Sequence, residues 1–205
     1  MSLLALLSLV PICLLGAMSP GPSLVVVVRH TLGGGRGNGI VCAWAHSIGI
    51  GVYALVTLLG LAVLLKVSPV VFKGISIAGA VFLAWLGYKA LTSKGSAAKK
   101  LEAGQKTSAL AAARDGLGIS LFNPKILLFF LALFSQFVVE AKNIWGQVAI
   151  VITPVVIDGM WYTVIATVLS NRNVLPKLQK NATLIDRLSG IVLLLLALRV
   201  VVKLF

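Results

Sequence analysis

Apolar residues occur in long runs along this chain, and polar residues collect in the gaps between the runs. The runs cover approximately 3–28, 40–65, 67–91, 117–139, 145–170 and 184–204. Each is long enough to cross a hydrocarbon core of about 30 Å as a helix that rises about 1.5 Å per residue. The pattern therefore predicts an all-α integral membrane protein with six transmembrane helices.

The composition leads to the same class. Hydrophobic residues make up 59% of the chain and charged residues only 11%, which is too little polar surface to cover a soluble domain of 205 residues. The net charge of +13 comes from basic residues in the gaps between the runs, so we expect a lipid bilayer and no nucleic acid as partner. The first run lacks a basic leader, and we expect it to stay in the mature protein.

Two of the apolar runs are interrupted by proline motifs. Pro20-Gly21-Pro22 lies in the first run and Asn123-Pro124-Lys125 in the fourth. Proline removes a backbone donor and clashes with the preceding turn, so backbone groups are left unpaired at membrane depth. Lipid cannot satisfy them, and such a break persists only where other helices, a cavity or a bound solute cover it. We predict that helices 1 and 4 are broken here; a simple packing kink is the alternative.

A polar linker divides the chain into two halves. Residues 93–113 contain the longest polar stretch, which leaves 1–92 and 114–205 with three apolar runs each. Landmarks recur across the linker at offsets of 102, 109 and 111, in the pairs Gly16/Gly118, Tyr53/Tyr162 and Gly79/Gly190. An odd number of crossings per half predicts two inverted three-helix repeats. Chance recurrence of glycines and aromatics is the alternative.

The basic residues indicate an orientation. Twelve of the 18 lie in the gaps after runs one, three and five, and five lie on the opposite side, including Arg199 and Lys203. By the positive-inside rule the twelve face the cytoplasm, which places both termini outside. The glycine-rich stretch 29–39 is then a cytoplasmic hairpin turn, in which we expect His30 to be solvated.

Three ionisable residues lie inside the apolar runs. Lys125 is roughly 12 Å from the cytoplasmic edge and either faces the interior or snorkels out. Asp158, roughly 18 Å in, is the only acidic residue well inside a run, and its carboxylate must be paired, hydrated or protonated. It either serves a transport pathway or forms a static pair with Lys125. His46, roughly 9 Å in, either relays protons or is an ordinary satisfied polar residue.

Other classes of function find less support in the sequence. Cys13 and Cys42 form no metal-ligand spacing and are interpreted as packing residues, and no catalytic grouping is present. We therefore expect no enzyme activity, no metal and no cofactor. A divalent-cation exporter and a membrane assembly subunit remain alternatives, and Ala80 and Ala84 are small residues that suit helix contacts in a homodimer.

Taken together, the motifs resemble the LysE/RhtB family of amino-acid exporters. The resemblance rests on Pro20-Gly21-Pro22, the glycine-rich basic turn after it, Phe122-Asn123-Pro124-Lys125 and the aspartate of the fifth run, Asp158. It implies secondary active efflux of amino acids or close derivatives across the bacterial inner membrane, driven by protons in antiport.

The motifs suggest a mechanism for such efflux. The two breaks would frame a pocket in which Lys125 and freed backbone amides hold the substrate carboxylate, while Asp158 holds the ammonium. Asp158 and His46 would couple transport to protons. The predicted substrate-binding residues are Pro20, Gly21, Pro22, Ser23, Asn123, Pro124, Lys125 and Asp158.

Overall fold

The computed structural model describes residues 3–19, 21–93, 106–141, 143–171, 176 and 180–204. Within them the chain is helical and contains no strand. The helices are α1 (Leu3–Met18), α2 (Pro22–Val67), α3 (Pro69–Leu91), α4 (Ala109–Leu121), α5 (Pro124–Phe137), α6 (Ile144–Leu169) and α7 (Ala182–Leu204), with a short 3-10 turn at Val138–Glu140. The all-helical prediction is confirmed.

The lengths and outer faces of these helices suit a membrane. Helices α2, α3 and α6 are each long and apolar enough to cross one, and α4 and α5, bent by 54° at their junction, make a fourth candidate span. Large apolar side chains point outward, and Val63 and Leu195 are 62% and 61% exposed. Lipid would cover this surface. The arrangement of six spans as two inverted repeats stays a prediction.

The two interruptions lie at the proline motifs. Helix α1 ends at Met18 and α2 begins at Pro22, while α4 ends at Leu121 and α5 begins at Pro124. Both prolines occupy the first turn of the helix that follows, where an N–H would have no helical acceptor. The breaks therefore lie where the sequence predicts them. Pro20 is outside the described residues.

The glycine-rich stretch 29–39 is helical on both sides of a single residue. Gly35 alone leaves the helical conformation, with φ 78° and ψ 175°, inside α2. The chain folds back at this residue. As a result Thr31 and Gly39 lie close together, and a Cβ on Gly39 would be 2.1 Å from the threonine hydroxyl. The predicted hairpin is present, but only Gly35 forms the turn, and the residues on both sides of it are helical.

His30 corrects a sequence-based expectation. We expected it to be solvated, whereas its exposed fraction is 1%. Its Nδ1 lies 3.1 Å from the Thr107 hydroxyl and its Nε2 lies 3.0 Å from the Asp115 carboxylate, which also pairs with Arg29 at 2.5 Å. These partners come from α4 and from the residues just before it, so the start of α4 closes over the hairpin.

Close backbone contacts hold the helices together. Helix α2 packs on α4 and α6, and α3 packs on α7. Gly116 lies against the backbone of Cys42, and a Cβ on it would be 2.3 Å from that carbonyl oxygen. Gly87 and Gly190 face each other in the same way, since a Cβ on Gly87 would lie 2.9 Å from the Gly190 carbonyl.

The small residues considered for a dimer contact are used within the chain. Ala80 is 2% exposed, and Ala84 packs against the main apolar cluster of the interior. Ala80 is thus used within the chain, and a homodimer contact stays a prediction. Cys13 and Cys42 are both buried and unpaired, as expected of packing residues.

Candidate functional site

A cavity lies where the two helix breaks meet. It is bounded by residues of the α1–α2 break, of the α4–α5 break, and of α2 and α6. Among the sequence-predicted residues, the structure brings together Gly21, Pro22, Ser23, His46, Asn123, Lys125 and Asp158 on its wall. Pro124 does not line the cavity, and Pro20 lies outside the described residues.

A chain of hydrogen bonds crosses one side of this cavity. The Asp158 carboxylate is 2.7 Å from Nδ1 of His46, and Nε2 of the same ring is 2.9 Å from the Ser23 hydroxyl. All three side chains are buried. An imidazole that contacts a carboxylate through one nitrogen and a hydroxyl through the other can accept a proton on one side and release it on the other.

Close packing of α2 on α6 brings His46 and Asp158 together. Gly159 leaves room for the Trp44 ring, which would be 2.9 Å from a Cβ at that position. One turn further along, the Ser47 hydroxyl donates to the Val155 carbonyl at 2.5 Å. The carboxylate next to Gly159 is therefore held against α2, where it meets the imidazole.

Tyr162 completes this side of the site, although sequence reasoning gave it no role. It lies one turn after Asp158 on α6, and its ring meets the His46 ring edge-on with centroids 5.2 Å apart. It lines the same cavity as Ser23. The spacing of Asp158 and Tyr162 on one helical face is the signal from which its place could have been inferred.

Lys125 faces the cavity from the opposite break. Its ammonium donates to the Ser19 hydroxyl at 2.8 Å and lies 3.5 Å from the position of a Cβ on Gly21. The side chain thus turns toward α1 and α2 instead of snorkelling. In the described part of the chain Lys125 forms no ion pair with Asp158, which pairs with His46. The static Lys125–Asp158 pair is absent from this conformation.

The two helix starts at the cavity differ in their capping. The Asn123 side chain accepts from the Lys125 amide at 3.0 Å and so caps α5. Helix α2 has Gly21 at its N-cap, which offers no side chain, so its first amides have no side-chain acceptor. The start of α2 therefore provides backbone donors and a positive dipole end beside the Lys125 ammonium.

The α4–α5 break also has a partner for one of its free carbonyls. The Tyr53 hydroxyl donates to the Leu121 carbonyl at 2.6 Å, just before the break. This is the compensation that a broken helix needs in lipid.

The remaining wall of the cavity is apolar. It is formed mainly by Ile50, Ile126, Phe129, Phe130 and Leu193. The cavity therefore presents one cation, one carboxylate with its imidazole, and an apolar surface. The described residues contain no group of three histidine, cysteine or acidic side chains that would hold a metal ion.

Comparison with known proteins assigns the chain to a transporter family. The profile of the LysE type translocators matches residues 14–204. The chain is 28% identical to an uncharacterized membrane protein of Haemophilus influenzae over 92% of each chain. It is 31% identical to a leucine efflux protein of an Enterobacter species, over 70% of this chain and 68% of the relative. It is 30% identical to a threonine efflux protein of Salmonella typhi, over 84% and 85%. No solved structure matches it significantly.

Proposed function

Because the chain belongs to the LysE type translocator family, we propose that it is a secondary active exporter of amino acids or close derivatives, driven by proton antiport across the bacterial inner membrane. The membrane-transport class follows from the family. The substrate and the coupling are our proposal, and the arrangement of Asp158, His46 and Lys125 around one cavity carries it.

The charges of the cavity fit a zwitterion. The carboxylate of an amino acid would bind at the start of α2, where uncapped amides lie beside the Lys125 ammonium. Its ammonium would bind the Asp158 carboxylate on the other side. The two breaks thus bind the carboxylate and α6 binds the ammonium, as in transporters whose sites lie at interrupted helices.

The apolar wall favours a neutral side chain. Ile50, Phe129 and Leu193 offer no further charge to a cationic or anionic substrate. Similarity to proteins named for leucine and threonine efflux supports the same choice. We therefore place neutral amino acids first among the substrates.

Proton coupling would proceed through Asp158. An ionised Asp158 holds the substrate ammonium; a proton arriving from outside would neutralise the carboxylate and release the substrate there, and His46 would accept that proton from Asp158 on its way to the cytoplasm. Loss of that proton to the cytoplasm would reset the site. Such a cycle needs alternating access, and the contacts suit two inverted halves, since α1 packs on α6 as α4 packs on α2.

The distribution of basic residues supports the sidedness. With twelve of the 18 on one face, both termini would lie on the periplasmic side and the linker in the cytoplasm.

The experiment uses inverted membrane vesicles with an acidic interior, in which export appears as uptake of labelled leucine or threonine. The wild-type protein should accumulate the amino acid, and Asp158→Asn should lose the gradient-driven part of the uptake. Thermal unfolding of the purified variant serves as the folding control. Gradient-driven uptake that survives in Asp158→Asn would refute the coupling role, and stabilisation by divalent cations alone would favour the cation exporter.

A further inference from the structure

A second cavity adjoins the first and shares the α1–α2 break with it. Lys125, Ser19, Gly21, Pro22 and Leu193 border both spaces. The additional wall is formed by the end of α3 and the first turns of α7, through Leu86, Lys89, Ala90, Ser93 and Asp186. Because Lys125 stands on the common border, a solute that leaves one cavity for the other must pass its ammonium.

Asp186 is the acidic residue that lines this second cavity. Asp158 is the only acidic residue well inside an apolar run, but Asp186, close to the start of its run, is equally buried, with 6% exposed. It accepts a hydrogen bond from Ser93, and it forms no ion pair within the described part of the chain. It lines this cavity together with Lys125.

Two lysines line the second cavity together with Asp186. Lys89 lines this cavity, and its ammonium lies 4.7 Å from the centroid of the Trp85 ring, one turn earlier on α3. The second cavity thus has one carboxylate and two ammonium groups, Lys89 and Lys125, and no direct pair between them in the described residues. This charge pattern matches a second zwitterion.

A hydrogen bond that only joins the end of α3 to α7, such as that between Ser93 and Asp186, would not require a carboxylate. A hydroxyl or an amide at position 186 would accept the bond from Ser93 equally well, without the unfavourable desolvation of a charge. A buried carboxylate beside a cavity is better explained by a cation that occupies the cavity.

We propose that this second cavity is a loading site, at which Asp186 binds the ammonium of an amino acid and Lys89 its carboxylate before the substrate moves past Lys125 to Asp158. The inference rests on the proposed function and its sidedness, which puts the end of α3 and the start of α7 at the cytoplasmic face. Lys125 would take over the carboxylate during the transfer, so that the zwitterion never crosses the border with both charges unpaired.

The test measures initial rates of amino-acid uptake into inverted vesicles over a range of external concentrations. For Asp186→Asn, which keeps an acceptor for Ser93, we expect a KM about tenfold higher or more, as for the loss of a charged hydrogen bond, with a maximal rate within about twofold of wild type. Asp186→Glu, which keeps the charge, should restore most of the affinity. Lys89→Gln should raise KM as well.

The outcomes separate this inference from the proposed function. Wild-type uptake with an unchanged KM in Asp186→Asn would overturn the loading site and leave the exporter intact. A lower maximal rate at unchanged KM, with equal loss in Asp186→Glu, would show a structural tie and also overturn it. Absence of amino-acid uptake by the wild-type protein would overturn the proposed function, and the loading site with it.

Discussion

The carboxylate of Asp158 and the imidazole of His46, 112 positions apart in sequence, lie 2.7 Å from each other in the interior. The second nitrogen of the ring contacts Ser23, at the start of the helix that follows the first break. The group proposed to hold the substrate ammonium is thereby connected to the interrupted backbone that would hold the carboxylate. Binding and proton transfer would share one hydrogen-bonded chain.

Replacement of His46 by glutamine separates those two roles. A glutamine amide can contact both Asp158 and Ser23, but it cannot take up and release a proton. We expect proton-driven uptake to fall about a hundredfold, at the lower end of what a positioned proton donor contributes. Stabilisation of the purified protein by the amino acid should persist. Uptake at the wild-type rate in His46→Gln would contradict the relay.

Lys125 should determine affinity for the carboxylate of the substrate. In Lys125→Gln the cation at the start of α2 is lost, and we expect the dissociation constant to rise on the order of ten- to a hundredfold. Lys125→Arg keeps the charge and serves as the matched control. The shift of the unfolding temperature with amino-acid concentration measures both constants. Equal binding by the glutamine variant and wild type would exclude Lys125 from the site.

Two glycines of α4 provide a matched pair for packing. A methyl group on Gly116 would meet the Cys42 carbonyl oxygen at 2.3 Å, whereas one on Gly118 would meet nothing within 4 Å. We expect Gly116→Ala to destabilise the protein by about 1–3 kcal/mol through overpacking. Gly118→Ala should be neutral or stabilise by up to about 1 kcal/mol through helix propensity. Thermal unfolding in detergent decides, and equal melting temperatures would refute the close contact.

The hairpin within α2 allows a second matched comparison. Gly35 has a φ of 78° and a ψ of 175°, a region that essentially only glycine adopts and that costs another residue about 1–3 kcal/mol, and Gly37 has an ordinary φ with open space around it. We expect Gly35→Ala to lower the unfolding temperature and Gly37→Ala to leave it unchanged or raise it. If Gly37→Ala lowers it as much, the reversal of the chain does not depend on Gly35.

Local chemistry made the interruptions predictable from sequence. Pro22 follows Gly21 and a second proline, and Pro124 follows Asn123, a good N-cap residue, so both motifs favour a helix start. The isolated prolines Pro11 and Pro154 lie inside α1 and α6 and do not interrupt them. The proximity of His46 and Asp158 was partly accessible too, since both lie at membrane depth on runs that the repeat aligns. Their direct contact depends on the close packing at Gly159, which no local rule predicts.

The misses have tertiary causes. His30 belongs to a glycine-rich basic stretch that looks solvated, and it is buried because Thr107 of the linker and Asp115 of α4 pack against it. Asp186 lies close to the predicted start of its run, where a linear count places it at the interface. It is covered by the end of α3, a neighbour distant in sequence.

The close contact between α3 and α7 bears on the route by which the substrate enters. At Gly87 and Gly190 the two backbones touch, and there is not space even for a methyl group between them. A lipid acyl chain therefore has no space between these helices at that level, and their contact provides no lateral opening to the bilayer there. Under the proposed orientation, an amino acid would enter from the aqueous cytoplasm. Hydrophobic derivatives dissolved in the bilayer would not reach Lys125 by passing between α3 and α7 at this level.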